Sequence, residues 1–520
     1  MTRSVLALLA GTTLLAGCNF APHYVRPVGE VPVGLPQGGP YPAAPTDAPD
    51  VTAIGWRDFF LDPKLRQTIE LGLANNRDLR VAAANVLQAR ALYRVQRADL
   101  LPTVGASASA AYTRSTASGI SAASGGTTGS GTGVGTGTGT GTGTGAGGTG
   151  GIGTGVGTGT GVGTGTTGLV GADRDVGLFQ LGLGVSAFEL DLFGRVRNLT
   201  RAQQEQYFAS EEAQRSARIS LVAEIASAYL TMASDQDRLA IARNTLESFR
   251  QSLQLTRAQF RIGVASELEA RQAETGFEAA RNDIAALTTQ IAQDQNALNL
   301  LVGTTVTPDL LPSGLGTADY SLPALPGNLS SEILLRRPDV LQAEHQLIAQ
   351  NANIGAARAA FFPTISLTAA LGTLSTSLGG LFGGGSGTWT VGPQATLPIF
   401  DFGRNRGNLQ YARASQQAAA ASYERTVQTA FREVADALAE RGTVDEQLDA
   451  RTRRANAASV AARLSDARYR AGVDSFLVSL DAQRTAYAAQ QDLVATRLAR
   501  QSNLVELYRS LGGGLADPRP

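Results

Sequence analysis

The sequence predicts an α+β membrane protein: a trimeric twelve-stranded transmembrane β-barrel, four strands per chain, continued by a long α-helical barrel and built on an internal two-fold repeat. Three observations predict it. The chain matches itself at fixed offsets, four short segments alternate apolar with small polar side chains, and two long proline-free intervals of equal length are rich in helix formers.

At the start, Met1 to Cys18 read MTRSVLALLAGTTLLAGC. Arg3 supplies a positive charge, Val5 to Leu15 an apolar stretch, and Leu15-Ala16-Gly17 small residues before a cysteine. This stretch is too short and wrongly flanked to persist as a spanning helix, so residues 1–17 read as a secretory signal peptide. It also resembles a bacterial lipobox, which makes Cys18 the expected lipidation site and first mature residue. Asn19, rather than Asp, follows it and favours an outer-membrane address. Cys18 is the only cysteine, so no internal disulfide is available. Beyond it no run of about 20 apolar residues occurs, and any membrane crossing has to be a closed barrel. Residues 18–56, Pro-rich at 21–49, read as an extended segment behind the anchor.

The two halves then share a register. Arg77-Asp78 opens a helical run that ends at Arg97-Ala98 before Leu101-Pro102; Pro338-Asp339 opens one that ends at Arg358-Ala359 before Phe362-Pro363. Asp78 to Asp339 and Pro102 to Pro363 are both 261 apart. Downstream, Phe193-Gly194-Arg195 matches Phe402-Gly403-Arg404 at an offset of 209. At the same offset Phe260, Arg261, Gly263, Val264 and Ser266 match Tyr469, Arg470, Gly472, Val473 and Ser475. The fall from 261 to 209 leaves 52 extra residues in the first half. They belong to the Gly-Thr tract near 113–177, too poor in large apolar groups to offset its ordering entropy, and expected as a flexible extracellular loop. GxGxxG recurs in it, but no Lys-Ser/Thr follows the glycines and no single strand-to-helix context flanks them, which argues against a phosphate cradle.

Strands are expected where Val104, Ala106, Ala108 and Ala110 alternate with small polar residues, and likewise at Phe179 to Val185, Ile365 to Leu371 and Trp389 to Ile399. A half-buried soluble sheet has the same period; the signal peptide and the helices favour a membrane barrel. Arg195 to Phe260 and Arg404 to Tyr469 each span 65 residues without proline, and each reads as one helix of roughly 100 Å. Shorter helical runs are expected near 63–100, 265–301, 331–361 and 474–510. Four strands cannot close a membrane barrel, and eight leave an interior filled by side chains. Twelve, from three chains, is the smallest closure that leaves a bore. In sequence order this gives a first repeat at 57–307, a linker at 308–330, a second repeat at 331–512 and a tail at 513–520.

Lys plus Arg and Asp plus Glu both number 44, so no net basic charge points to a nucleic-acid partner. His23 and His345 lie in unlike contexts, and no HExxH, CxxC, GxSxG or Ser-x-x-Lys pattern occurs. No catalytic residue, cofactor or metal site is expected, and the chain does not read as an enzyme.

Leu192-Phe193-Gly194-Arg195 and Asp401-Phe402-Gly403-Arg404, Tyr469-Arg470-Ala471-Gly472-Val473-Asp474-Ser475-Phe476 with Leu480-Asp481-Ala482-Gln483-Arg484, and Cys18 to Pro27 together resemble TolC-type outer-membrane efflux factors, particularly their lipoprotein branch. The resemblance covers essentially the whole mature chain except the expanded Gly-Thr tract. It implies a homotrimer anchored in outer-membrane lipid, with the helical barrel in the periplasm. It also implies a passive exit duct for small molecules, joined by a periplasmic adaptor protein to an inner-membrane proton-driven transporter. Gly263, Val264, Ser266, Gly472, Val473 and Ser475 become the tip where the adaptor docks. Asp481 matches an aspartate that lines the family's constriction and Tyr469 a tyrosine of its closing contacts. Asp474, seven residues before Asp481 and so nearly two helical turns away, joins them as an aperture candidate. Two other readings stay open: the outer component of a type I protein-secretion system, and a structural coiled-coil surface lipoprotein.

Overall fold

The computed structural model describes residues 19–27, 32, 34–36, 38–41, 54–115, 174–316 and 331–513. Cys18, the signal peptide and the Gly-Thr tract between 116 and 173 lie outside the described residues. The chain divides into two compact units, one made of Met1–Leu101, Asp191–Thr364 and Ala395–Pro520, the other of Pro102–Leu190 and Ile365–Gln394.

The first unit is helical. Asp62 starts α1 (Pro63–Asn75) by accepting the Lys64 amide at 2.8 Å, with proline at the first helical position, where its missing N–H costs nothing. Asn76 then ends α1 and starts α2 (Arg77–Ala98), its Oδ1 accepting the Leu79 amide at 2.8 Å. α2 has the bounds expected for the run opened by Arg77-Asp78, and the helical stretch near 63–100 is two helices that meet at Asn76. α3 (Arg195–Arg261) and α6 (Arg404–Arg470) have 67 residues each, about 100 Å at 1.5 Å per residue. α3 leads through a tight turn into α4 (Glu267–Val302), and α6 into α7 (Phe476–Ser510). α5 (Pro338–Ala359) follows a 3-10 turn at Ser331–Arg336.

α3 and α4 form one hairpin and α6 and α7 another; α3 also packs on α2, α5 and α7, and α6 on α5. Their main core gathers Trp56, Phe59, Phe60, Ile69, Ile225, Tyr229, Leu230, Tyr423, Leu504 and Tyr508. The Phe59 and Tyr508 rings stack with centroids 4.1 Å apart. Burial of each such side chain contributes about 1.5–3 kcal/mol, and this core joins both hairpins to the short Trp56–Phe59 helix. Arg337 is buried at the start of α5. It donates to Asp339 at 2.7 and 3.0 Å, to Glu433 at 2.8 Å and to the Ser510 carbonyl at 2.7 Å, so its charge is fully paired. Among the described residues no helix is long and apolar enough to cross a membrane.

The described start of the chain lies along α5. Phe20 stacks on Phe362 at 4.6 Å, and its carbonyl accepts from Arg358. Asn351 donates to the Pro22 carbonyl. Arg26 grips Glu344 with two bonds of 2.6 and 2.8 Å, while Tyr24 donates to the same carboxylate.

The second unit is a four-stranded antiparallel sheet in the order β1 (Val104–Ser115), β2 (Arg174–Glu189), β3 (Thr364–Ser375), β4 (Gly387–Thr396). Ala106 pairs with Leu183, and Leu183 with Leu371, which puts the apolar positions of three strands on one face. Leu183, Leu371 and Trp389 are exposed in the single chain. A register shift between Val185 and Phe188 places Ala187 at φ +51°. β1 and β2 pair as far as Ser115 with Arg174, so residues 113–115 and 174–177, expected in the loop, are strand. β4 stops at Thr396, short of Leu397 and Ile399.

Candidate functional site

The hairpin turns form from a shared backbone solution. In the first, the Val264 amide donates to the Gln259 carbonyl at 2.9 Å and the Gly263 amide to Phe260 at 3.0 Å. In the second, Val473 donates to Arg468 at 2.9 Å and Gly472 to Tyr469 at 2.9 Å. This paired pattern closes a helix on a left-handed residue, and the glycines take φ +76° and +73°. A Cβ at either position would meet nothing within 4 Å, so the need for glycine there is one of backbone strain alone.

After the turn the two hairpins differ. Ser266 caps α4 with a reciprocal box: its hydroxyl accepts the Glu269 amide at 3.2 Å, and Glu269 accepts the Ser266 amide at 2.7 Å. Ser475 stands at the same place before α7, but Val478 occupies the position of Glu269 and the Ser475 side chain makes no cap bond. Instead Arg468 clamps Asp474 from across the turn, Nε to Oδ2 at 2.7 Å and Nη2 to Oδ1 at 2.9 Å. These bonds hold the Asp474 carboxyl below the usual carboxylate range. Around the two turns Ile262, Val264, Leu268, Val473, Leu477 and Val478 are all exposed in the single chain.

Tyr469 ties one hairpin to the other. Its hydroxyl donates to Gln259 Oε1 at 2.6 Å, and its ring lies 5.4 Å from that of Phe476. It packs on a small core of Phe249, Leu253, Ala273, Ala280, Phe476 and Leu480. Asp481, one residue past Leu480 on α7, is exposed and pairs with no described residue, Arg484 included. Asp474 precedes α7 rather than lying on it, so the argument that seven residues bring it to the helical face of Asp481 does not apply. Arg470 is taken up by Asp466 on its own helix at 2.9 Å. Both border a polar cleft of about 380 Å³ between α3, α6 and α7.

Sequence reasoning singled out Tyr469 and Asp474 but missed their partners, Gln259 and Arg468. The repeat offset carried the signal, since position 259 matches 468: an arginine beside the acid-bearing turn, a neutral amide beside the other. The described residues include no cluster of three or more His, Cys, Asp or Glu suited to a metal.

With this geometry in view, comparison with known proteins is informative. The profile of the outer membrane efflux protein family matches residues 68–139, 153–304 and 329–513. The chain is 43% identical over 516 residues to the toluene efflux pump outer membrane protein TtgC of Pseudomonas putida, covering 99% of this chain and 96% of that one. It is 40% identical over 517 residues to the outer membrane protein OprJ of Pseudomonas aeruginosa, with 99% and 96% covered. Among solved structures, the open state of the Neisseria gonorrhoeae MtrE outer membrane channel superposes with a TM-score of 0.77 at 34% identity, covering 96% of this chain and 99% of that one. The chain belongs to the outer membrane efflux protein family.

Proposed function

We propose that three copies of this chain close a twelve-stranded barrel and a helical tunnel, and that the assembly is the outer-membrane exit duct of a tripartite efflux pump for small molecules. The observation that carries this is the combination of a four-stranded sheet, whose edge strands β1 and β4 are each paired on one side alone among the described residues, with two 67-residue helices that reverse at matched glycine turns. An open sheet edge is not tolerated in lipid, so a membrane-spanning form needs further strands.

An internal two-fold repeat supports the ring. Asn76 donates to the Leu301 carbonyl at 2.8 Å, and Arg337 to the Ser510 carbonyl at 2.7 Å. These joints correspond at the offsets 261 and 209, so each repeat uses one residue to tie its short helix to the end of its hairpin.

The exposed apolar side chains at the turns suit a periplasmic adaptor, with Gly263, Val264, Ser266, Gly472, Val473 and Ser475 as the docking tip. Asp481 would form an acidic ring that narrows the bore and favours cations, while Asp474, neutralised by Arg468, would line the same aperture as an ion pair. Tyr469, bonded to Gln259, would hold the hairpins in the closed position. Cys18 carries the lipid anchor. An inner-membrane proton-driven transporter supplies energy, and the duct itself catalyses nothing. The toluene pump component among the relatives favours apolar small molecules as cargo over a secreted protein.

Deleting the gene in its host and following accumulation of an apolar fluorescent dye tests the reading. Accumulation should rise and fall again on complementation; a deletion strain that retains no more dye than its parent would count against an efflux role.

A further inference from the structure

We propose that Asp294 holds a proton which it donates to Asp235, and that gain or loss of this proton tightens or loosens the seam between α3 and α4 and its hold on α7. The joint lies within one chain and does not depend on how many copies assemble.

The starting observation is in the seam of the first hairpin. On α4, Ala273, Ala280, Leu287 and Asp294 are buried at intervals of seven, followed by buried Leu298 and Val302. Such spacing marks the contact line of two packed helices, where apolar side chains are the rule. Asp294 stands on that line with 8% of its surface exposed. On α3, Asp235 is 5% exposed, with buried Leu230 and Ala233 before it and buried Leu239 and Ala242 after it. Leu239, Ala242 and Leu287 form one apolar cluster, while Leu230, Ala233, Leu298 and Val302 belong to the main core. Two carboxyl groups therefore sit between two apolar clusters, on packed helices.

Their hydrogen bonds do not balance if both are anions. Asp294 Oδ1 accepts from Gln290 Nε2 at 2.9 Å, but Oδ2 is buried without a donor. Within hydrogen-bonding reach of the Asp294 carboxyl is that of Asp235, itself only an acceptor when ionised. Asp235 Oδ1 accepts from Arg238 Nη1 at 3.1 Å. One proton on Asp294 turns a contact between acceptors into a donor and acceptor bond and removes one buried charge. Burial, with the charge of Asp235, also raises the Asp294 pKa above its ordinary 3.8, against the bond from Gln290. Other charged groups on the packed helices are engaged elsewhere. Asp283 of α4 accepts from Tyr487 at 3.0 Å, and Asp492 of α7 from Arg451 and Arg454 of α6. Arg497 of α7 acts on Asp237, and Glu70 of α1 pairs with Arg57.

The second hairpin supports the assignment. At the offset of 209, Asp235 and Asp294 match Val444 and Asn503, both buried. Asn503 donates through Nδ2 to the Ala437 carbonyl at 2.8 Å and to Glu440 at 3.2 Å. The matched site takes a neutral group that donates, which is what Asp294 becomes when protonated. Arg238 carries the state of the pair onward: its Nε donates to Gln491 Oε1 of α7 at 2.9 Å, and Gln491 returns a bond to the Arg238 carbonyl. Loss of the proton sets two carboxylates against each other across the seam, in competition for the arginine that holds α7. Because the folded pKa lies above the unfolded one, the proton contributes fully below about pH 4, and its contribution is lost as pH rises through the folded value.

Hydrogen exchange on the full-length protein in detergent, corrected for the pH dependence of the intrinsic rate, tests the joint between about pH 4.5 and about pH 7.5. In the parent, protection of residues 290–298 should fall as pH rises, by up to about tenfold per pH unit across the titration. Asp294→Asn fixes a neutral donor and should keep the same protection throughout. Should D294N fail to assemble, D235V/D294N, which copies the second hairpin, takes its place with the same expectation. Residues 500–507, around Asn503, should not respond in any of these proteins. Protection of residues 290–298 that ignores pH in the parent, or that falls as steeply in the asparagine variant, would overturn the proposal. An equal fall at 500–507 would mark a general loosening and overturn it as well.

Discussion

His345 shows how one residue can report on the helical unit. Its hydrogen bond to Glu205, aided by the charges of Glu205, Glu212 and Glu344, raises its pKa above 6.5 against the opposing effect of burial. Because the folded value exceeds the unfolded one, protonated His345 contributes its full stability below about pH 6.5, and this is lost as pH rises through the folded pKa. His345→Gln should therefore show a smaller drop in melting temperature between about pH 5 and about pH 8 than the parent. Equal drops would mean the pair is not coupled to folding. At the turns the expected effect is backbone strain: Gly472→Ala should cost about 1–2 kcal/mol, and Gly472→Asn less, because asparagine tolerates the left-handed region. Hydrogen exchange at the end of α6 measures it, and identical protection in all three proteins would contradict the assignment. Both glycines were legible in the sequence because they stand after the long helices in both halves. The hydrogen bond from Tyr469 to Gln259 was not, since it joins residues 210 apart on different hairpins.

Among the elements, the helix caps distinguish hairpins that the sequence makes look alike. Ser266 and Ser475 match in register, yet only Ser266 has a glutamate three residues on to complete the box. Ser266→Ala should cost about 1 kcal/mol and fray the start of α4, whereas Ser475→Ala should leave α7 nearly unchanged. Hydrogen exchange at residues 267–270 and 476–479 separates the two, and equal fraying would show that the box contributes nothing. Element boundaries were most legible where proline or glycine punctuates them, as at Pro63, Pro338, Gly263 and Gly472. The repeat offset also marked the start of α2 at Arg77, where Asn76 caps the helix by accepting the Leu79 amide. Strand ends near the Gly-Thr tract were obscured. Residues 113–115 and 174–177 lie beside a composition that reads as loop, but ladder bonds across β1 and β2 order their backbone.

On the scale of the whole molecule, the repeat made the architecture readable: two equal long helices, two glycine turns and four strands follow from two offsets. Removing about 52 residues of the Gly-Thr tract should equalise the two halves and still allow assembly, as native gels of the shortened protein would show. Mass spectrometry of the mature N-terminus should find acylated Cys18, and an unmodified terminus at another residue would remove the anchor. The most direct test of a water-filled duct narrowed at its helical tip is single-channel recording in planar bilayers. Purified trimers should give discrete conductance steps with cation preference, and Asp481→Ala should raise the conductance or lower that preference. Inserted trimers that conduct nothing, with or without Asp481, would contradict the duct.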